Sequence, residues 1–335
     1  MQAIAFDDAE KPAERAYRPP MPLAEAQAIA AARDADPEER FRACVELVQR
    51  GSIRPTLPAI RELEKTPALA TDARKLMNAA RYFERALAWL DFAGERPTAG
   101  RWQTLDGSPP GESQEPSGAL LWVRNGAAKT VLAFSTYAGG FGPMRCWGSV
   151  FLAHRFLAGF PLNVVYLRDE TYCLNLAGNR SLGADYGACV EALRALCSRR
   201  GWRELYAIGF SMGGYSALRF GLDLGARAAL AFSGATTLAS TEYRAKNGLE
   251  WLHQAAPAMT VDLLPLYQRA SRRPRLLLCY GEGHPGDAEM ATRMAGLPET
   301  ELIPFSGFRG HSTFMEAGRL GKLGALTARL TELPQ

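Results

Sequence analysis

Glu204-Leu-Tyr-Ala-Ile-Gly-Phe-Ser-Met-Gly-Gly-Tyr-Ser-Ala-Leu-Arg-Phe220 is the stretch that decides how the chain is read. It predicts a buried strand, a turn too tight for ordinary residues, and a helix that starts at once. Ser211 stands at the apex, with Gly209, Gly213 and Gly214 around it. The G-x-S-x-G spacing alone arises by chance in roughly one chain in seven of this composition, so its strand-turn-helix context carries the weight. A serine hydroxyl is a poor nucleophile, and it must stand clear of the sheet where a base can take its proton. A sharp turn does this by straining the serine backbone, which requires neighbours without bulky side chains. The same turn aims the amide of Met212 and the positive end of the helix at the place where an oxyanion forms. The plainer reading is a glycine-rich turn with a surface serine.

On either side of this stretch, short apolar strands recur: Trp102 to Leu105, Ala119 to Arg124, Thr130 to Phe134, Leu162 to Leu167, Ala226 to Phe232, Arg275 to Tyr280 and Glu301 to Pro304. Helical patterns lie between most of them, clearest at Ala184 to Arg199, Asp287 to Ala295 and Ala317 to Leu330. Near-continuous apolar strands alternating with amphipathic helices mean a mostly parallel sheet covered on both faces. An α/β domain is therefore expected over residues 96–335.

Residues 1–95 read differently. Apolar positions recur three and four apart from Leu23 onward, and Pro37, Gly51, Pro55 and Pro67 divide the pattern into short helices. Asp36-Pro37-Glu-Glu is a capping sequence with proline at the first helical position. The expectation is a small all-α N-terminal domain, similar to tetratricopeptide units without a clear repeat. Its use would be to bind a protein partner, to form a homodimer, or to cover the second domain.

Composition narrows the function classes. The 39 Lys and Arg against 35 Asp and Glu leave a net charge of +4, dispersed, which does not point to nucleic acid. No run of 18 apolar residues is present and the first residues lack a signal-peptide pattern, so no membrane span and a cytoplasmic protein of bacterial type are expected. The six cysteines show no C-x-x-C pair and read as reduced packing residues, with no metal site. No G-x-x-x-x-G-K-[ST] or G-x-G-x-x-G occurs, so nucleotide binding is not indicated and no cofactor is expected.

The elbow, the strand series and the residues beyond them resemble the α/β-hydrolase superfamily over about the last 240 residues. The resemblance implies a chain order of nucleophile, acid, histidine. Ser211 fills the first place. His311, in Phe305-Ser-Gly-Phe-Arg-Gly-His311 after the last strand, lies where the family places its base. The acid comes from Tyr280-Gly-Glu-Gly-His-Pro-Gly-Asp287; its commonest position, three residues after the glycine, is occupied here by His284. Asp287 is the choice and Glu282 the alternative. The competing role for Asp287 is to cap the helix that begins there, and one side chain does not readily do both. Position in the family places the second oxyanion amide at about Tyr137, in the glycine-rich loop after Phe134.

Phe210, Tyr243, Trp251 and His284 are candidate substrate contacts; Tyr243 and Trp251 lie in a long connection, residues 234–274, expected as a cap insertion or else as a packed crossover helix. The resemblance implies a serine hydrolase acting on an ester or thioester. Leu-Ala-Gly before the elbow and Gly-Phe-Arg-Gly-His after it are similar to bacterial hydrolase-like proteins associated with surface polysaccharide, which implies a glycan acyl ester. The rivals are an acyltransferase using the same triad and an inert hydrolase-fold scaffold.

Overall fold

The computed structural model describes residues 21–49, 52–81, 100–107, 119–134, 157–167 and 174–332, apart from a few isolated positions within these stretches. Eight strands form one sheet in the order β1-β2-β4-β3-β5-β6-β7-β8. They are β1 Gly100–Gln103, β2 Ala119–Arg124, β3 Lys129–Phe134, β4 Leu162–Leu167, β5 Glu204–Phe210, β6 Ala228–Phe232, β7 Arg275–Gly281 and β8 Thr300–Phe305. The first two are antiparallel, β1 to β2 and β2 to β4. From β4 across to β8 every pairing is parallel.

The alternation of side chains along each strand builds two cores. Leu132, Ala207 and Leu276 face one way, into a cluster with helices Tyr186–Arg200, Met212–Asp223 and Leu263–Arg269. Val131, Ala133, Tyr206, Ile208 and Leu277 face the other way, against helices Thr313–Arg319 and Leu323–Thr331. All six residues of β4 and all five of β6 are buried. A parallel sheet covered on both faces has this near-continuous apolar reading, because neither face meets water.

Local signals set the boundaries. Asp185 caps helix Tyr186–Arg200 by accepting from the Ala188 amide at 2.8 Å, and Gly201 closes it in the left-handed conformation, φ 67°. The expected single helix from Ala317 to Leu330 is two helices, Thr313–Arg319 and Leu323–Thr331. Gly321 separates them at φ 66°, a backbone conformation that ends one helix and turns the chain into the next. The first strand ends at Gln103 rather than Leu105, and the helix after Ser211 begins at once, at Met212.

Residues 21–80 have a core of their own. Ala26, Cys44, Val45, Val48, Ile60, Leu63, Leu76 and Met77 pack together from α1 Leu23–Ala31, α2 Pro37–Gln49, α3 Ile53–Leu63 and the helical turns after α3. Asp36 caps α2 as expected, its Oδ1 accepting from the amides of Glu38 and Glu39, each at 3.0 Å. Arg40, nearly buried, donates to the Ala30 carbonyl at 3.0 Å and to Glu62 at 2.7 Å, joining α1, α2 and α3. No helix among the described residues is long and apolar enough to cross a membrane. Cys44, Cys189, Cys197 and Cys279 are buried thiols; burial pushes the Cys197 thiol up to about 11, and Cys44 to about 12 despite the nearby Arg40.

Much of the stretch expected as a cap is the packed β6-to-β7 crossover. Leu252, Leu263 and Tyr267 are fully buried in the same core as the helix after Ser211. The Tyr267 hydroxyl donates to the Leu218 carbonyl at 2.8 Å, and the Tyr215 hydroxyl lies 3.1 Å from the carbonyls of both Met259 and Val261. A segment with this many buried anchors is held against the sheet.

Candidate active site

Parallel strands bring their C-terminal ends to one edge, and residues from three of those ends meet there. Ser211 comes after β5, Asp287 after β7 and His311 after β8.

The serine sits at φ 54°, ψ −121°, a conformation that costs on the order of 1–3 kcal/mol for a residue with a side chain. Its surroundings enforce it. The Ser211 amide donates to the Phe232 carbonyl at 2.7 Å, continuing the β5–β6 pairing past the end of β5. A Cβ on Gly209 would lie 2.0 Å from the Gly213 carbonyl oxygen, and one on Gly214 would lie 2.7 Å from the Gly234 Cα. Strand, turn and helix are thus in backbone contact, which leaves the serine side chain only the outward direction. Met212 is the first residue of the helix, and its N–H is among those a helix cannot pair internally.

The His311 ring stands over this serine. Ser211 Oγ is 2.7 Å from His311 Nε2. On the far side of the ring, Nδ1 lies 2.8 Å from Asp287 Oδ1 and 3.1 Å from Oδ2. With the Nδ1 proton donated to the carboxylate, Nε2 is left to accept from the serine hydroxyl. Phe210, beside the serine, supports the histidine: the two ring centroids are 5.9 Å apart, and Phe210 also meets Phe314 at 6.2 Å.

Asp287 reaches His311 because another residue caps its helix. The N-cap of helix Pro285–Thr292 is His284, whose Nδ1 accepts from the Asp287 amide at 3.2 Å. Pro285 comes next, at the first position, where a missing N–H costs nothing. The expected conflict between capping and catalysis is thereby removed, since the aspartate lies one turn inside. Burial tends to raise its carboxyl pKa, but hydrogen bonds from His284 and His311, with their charge, outweigh this and hold it below the usual value. Glu282, the alternative acid, is exposed on the preceding turn.

The acid and base loops lie backbone to backbone. Gly283 N–H donates to the Phe308 carbonyl at 3.0 Å, and a Cβ on Gly281 would meet the Gly310 and Phe308 carbonyls at 2.8 and 2.9 Å. Two supports have no signal in the sequence. Ser233, at φ 50°, donates its amide to the Cys279 carbonyl at 2.7 Å, and its hydroxyl lies 2.8 Å from that of Thr313. The Thr313 amide donates in turn to the His311 carbonyl at 2.9 Å, so the end of β6 is tied to the histidine loop. Neither link can be read from residue spacing, because together they join segments far apart in the chain.

Of the expected substrate contacts, Tyr243 is half-buried on helix Thr241–Lys246, and burial, with the charges of Asp287 and Glu289, pushes its phenol up to about 12. Trp251 belongs to helix Glu250–Ala255. Tyr137 lies outside the described residues. His253 is engaged by Thr260, at 2.7 Å from Nδ1. Nitrogen and oxygen atoms of His284, Asp287 and His311 lie within 4.8 Å of one another. Asp287 holds both rings at hydrogen-bond distance.

No protein family and no curated protein matches the chain. Solved structures do. Esterase B from Lactobacillus rhamnosis, in an inhibited form, is similar with a TM-score of 0.51 at 14% identity, over 78% of this chain and 94% of that one. An α/β hydrolase from the sediment metagenome of the Mar Chica lagoon has a TM-score of 0.42 at 14% identity, over 64% and 97%. An esterase of the bacterial hormone-sensitive lipase family has a TM-score of 0.47 at 13% identity, over 92% and 96%. Strand order and the likeness to esterase B give this chain the α/β-hydrolase fold.

Proposed function

We propose that the protein is a serine hydrolase that cleaves an ester or thioester through an acyl-enzyme on Ser211. The observation that carries this reading is the unbroken chain of contacts from Ser211 Oγ through both nitrogens of His311 to Asp287, at 2.7 and 2.8 Å. The Ser211 hydroxyl attacks the substrate carbonyl while its proton passes to His311 Nε2. The Met212 N–H, with a second amide from the loop at Tyr137, holds the oxyanion. As the tetrahedral intermediate collapses, the bond to the leaving group breaks and His311 returns the proton to it. Water, deprotonated by the same nitrogen, then releases the acid and restores the serine. Asp287 stays ionised and fixes the ring. These steps use the three side chains, the two backbone amides and water.

The fold likeness to an esterase supports a carbonyl substrate, and the acyl esters of glycans are within this chemistry. The test is turnover of p-nitrophenyl acetate and butyrate, with an early burst of nitrophenol equal to the enzyme present. Ser211→Ala is expected to abolish both. Folded protein without turnover, or turnover that survives Ser211→Ala, would contradict the reading. Products made in the presence of alcohol acceptors separate hydrolysis from acyl transfer.

A further inference from the structure

Asp287 serves two imidazoles, and only one of them faces the serine. Its Oδ1 lies 2.8 Å from His311 Nδ1 and 3.1 Å from His284 Nδ1, and the two rings are 5.6 Å apart between centroids. The same His284 nitrogen is 3.2 Å from the Asp287 amide. The two contacts of His284 exclude each other. To cap the helix, Nδ1 must present a lone pair to the amide; to bond Oδ1, it must carry a proton.

We infer that His284 is a positioning residue whose proton decides how Asp287 is shared. When Nδ1 is unprotonated, His284 caps the helix and leaves the carboxylate to His311. When it is protonated, Nδ1–H donates to Oδ1, the helix cap is lost, and part of the carboxylate's charge and hydrogen bonding is withdrawn from His311. One N–H bond forms, its proton taken from solvent, and no other covalent bond changes. The inference rests on the serine-hydrolase reading, since His284 acts only through Asp287 and His311.

The groups around the ring support this assignment. Asp287 on its own helix favours the charged imidazole, and His311 approaches from the loop after β8. Lys246, at the end of helix Thr241–Lys246, opposes the charge, as does partial burial. Tyr243 on that helix is a phenol whose pKa burial and the Asp287 charge raise, the stem of Arg309 packs near Gly283, and Glu282 on the same turn is exposed. The hydrogen bond to Asp287 is the largest influence, and the balance raises the His284 pKa above its ordinary value.

The test compares the acid limb of kcat/KM in wild type and His284→Asn, since asparagine is a good N-cap that does not titrate. As the pH falls through the His284 titration, wild type is expected to lose an increment of kcat/KM that His284→Asn does not. The ratio of kcat/KM at pH 8.5 to that at pH 5.5 should therefore shrink several-fold in the variant. Superimposable acid limbs would overturn the inference.

A second measurement does not depend on turnover or on that variant folding. With only four histidines in the chain, nitrogen NMR of imidazole-labelled protein can track His284 directly. Its midpoint should lie above that of an ordinary histidine and fall by about one pH unit or more in Asp287→Asn. A midpoint that ignores Asp287→Asn would overturn the proposal. Were the protein to show no esterase turnover, the titration would still report on the His284–Asp287 pairing, so the two readings fail separately.

Discussion

The turn after β5 and the turn after β7 are the same structural unit: a buried parallel strand handing over to a helix at the same sheet edge. They solve opposite problems. The first must push one side chain out, and it does so by strain: Ser211 at φ 54°, without a side-chain cap, is squeezed between Gly209, Gly213 and Gly214. The second must draw one side chain in, and it does so by relaxation. His284 caps the helix, Pro285 starts it, and Asp287 is lowered one turn to 7% exposure beneath His311. Strain exposes the serine; a satisfied helix end buries the aspartate. The comparison teaches that a strand-to-helix turn sends its side chain out or in according to how the first amides of the helix are satisfied.

The sharpest way to break this comparison is at the buried end. Asp287→Asn keeps the shape but lets the ring take the wrong tautomer, and kcat for ester hydrolysis is expected to fall by roughly 10³–10⁴-fold. Glu282→Gln, on the exposed part of the same turn, should change kcat by less than about threefold. If the two losses were reversed, the acid would be Glu282 and the capped turn would have no part in catalysis.

The strained end is tested by stability. Gly209→Ala places a methyl 2.0 Å from a backbone oxygen that cannot rotate away. The expected cost is about 3 kcal/mol or more, read from the urea midpoint, with loss of serine reactivity in whatever remains folded. Gly201→Ala is a useful contrast. That glycine is at positive φ, 67°, but nothing lies within 4 Å of the added carbon. Its cost should be about 1 kcal/mol, from the backbone conformation alone.

The two turns also differ in how far they could be read from sequence. The elbow's demand is steric and falls on residue types, so the glycines around Ser211 announce it. The acid loop's demand is for one hydrogen bond, from the Asp287 amide to a histidine, and no common capping residue marks it. Asp287 could be named, but the reason it is free to reach His311 could not, because histidine is a rare N-cap and was expected instead against substrate. The parallel sheet was legible for the same reason as the elbow: strands such as Leu162–Leu167 are apolar throughout because both faces are covered. The break at Gly321 was not, since the apolar positions on either side of it continue a single helical pattern. In residues 21–80 the apolar spacing and the Asp36 cap reveal the helices and their core, while the partner such a unit binds depends on surface chemistry that periodicity does not encode. A protein partner or a homodimer through this region remains a proposal, testable by pull-down with residues 1–95.

Labelling with a fluorophosphonate probe tests the central claim most directly, because the probe reacts with a serine only where a base activates it. The account predicts one adduct per chain, located by mass spectrometry on the peptide containing Ser211 and absent in Ser211→Ala and His311→Ala. A folded wild-type protein that stays unlabelled, or a label that persists in Ser211→Ala, would contradict it.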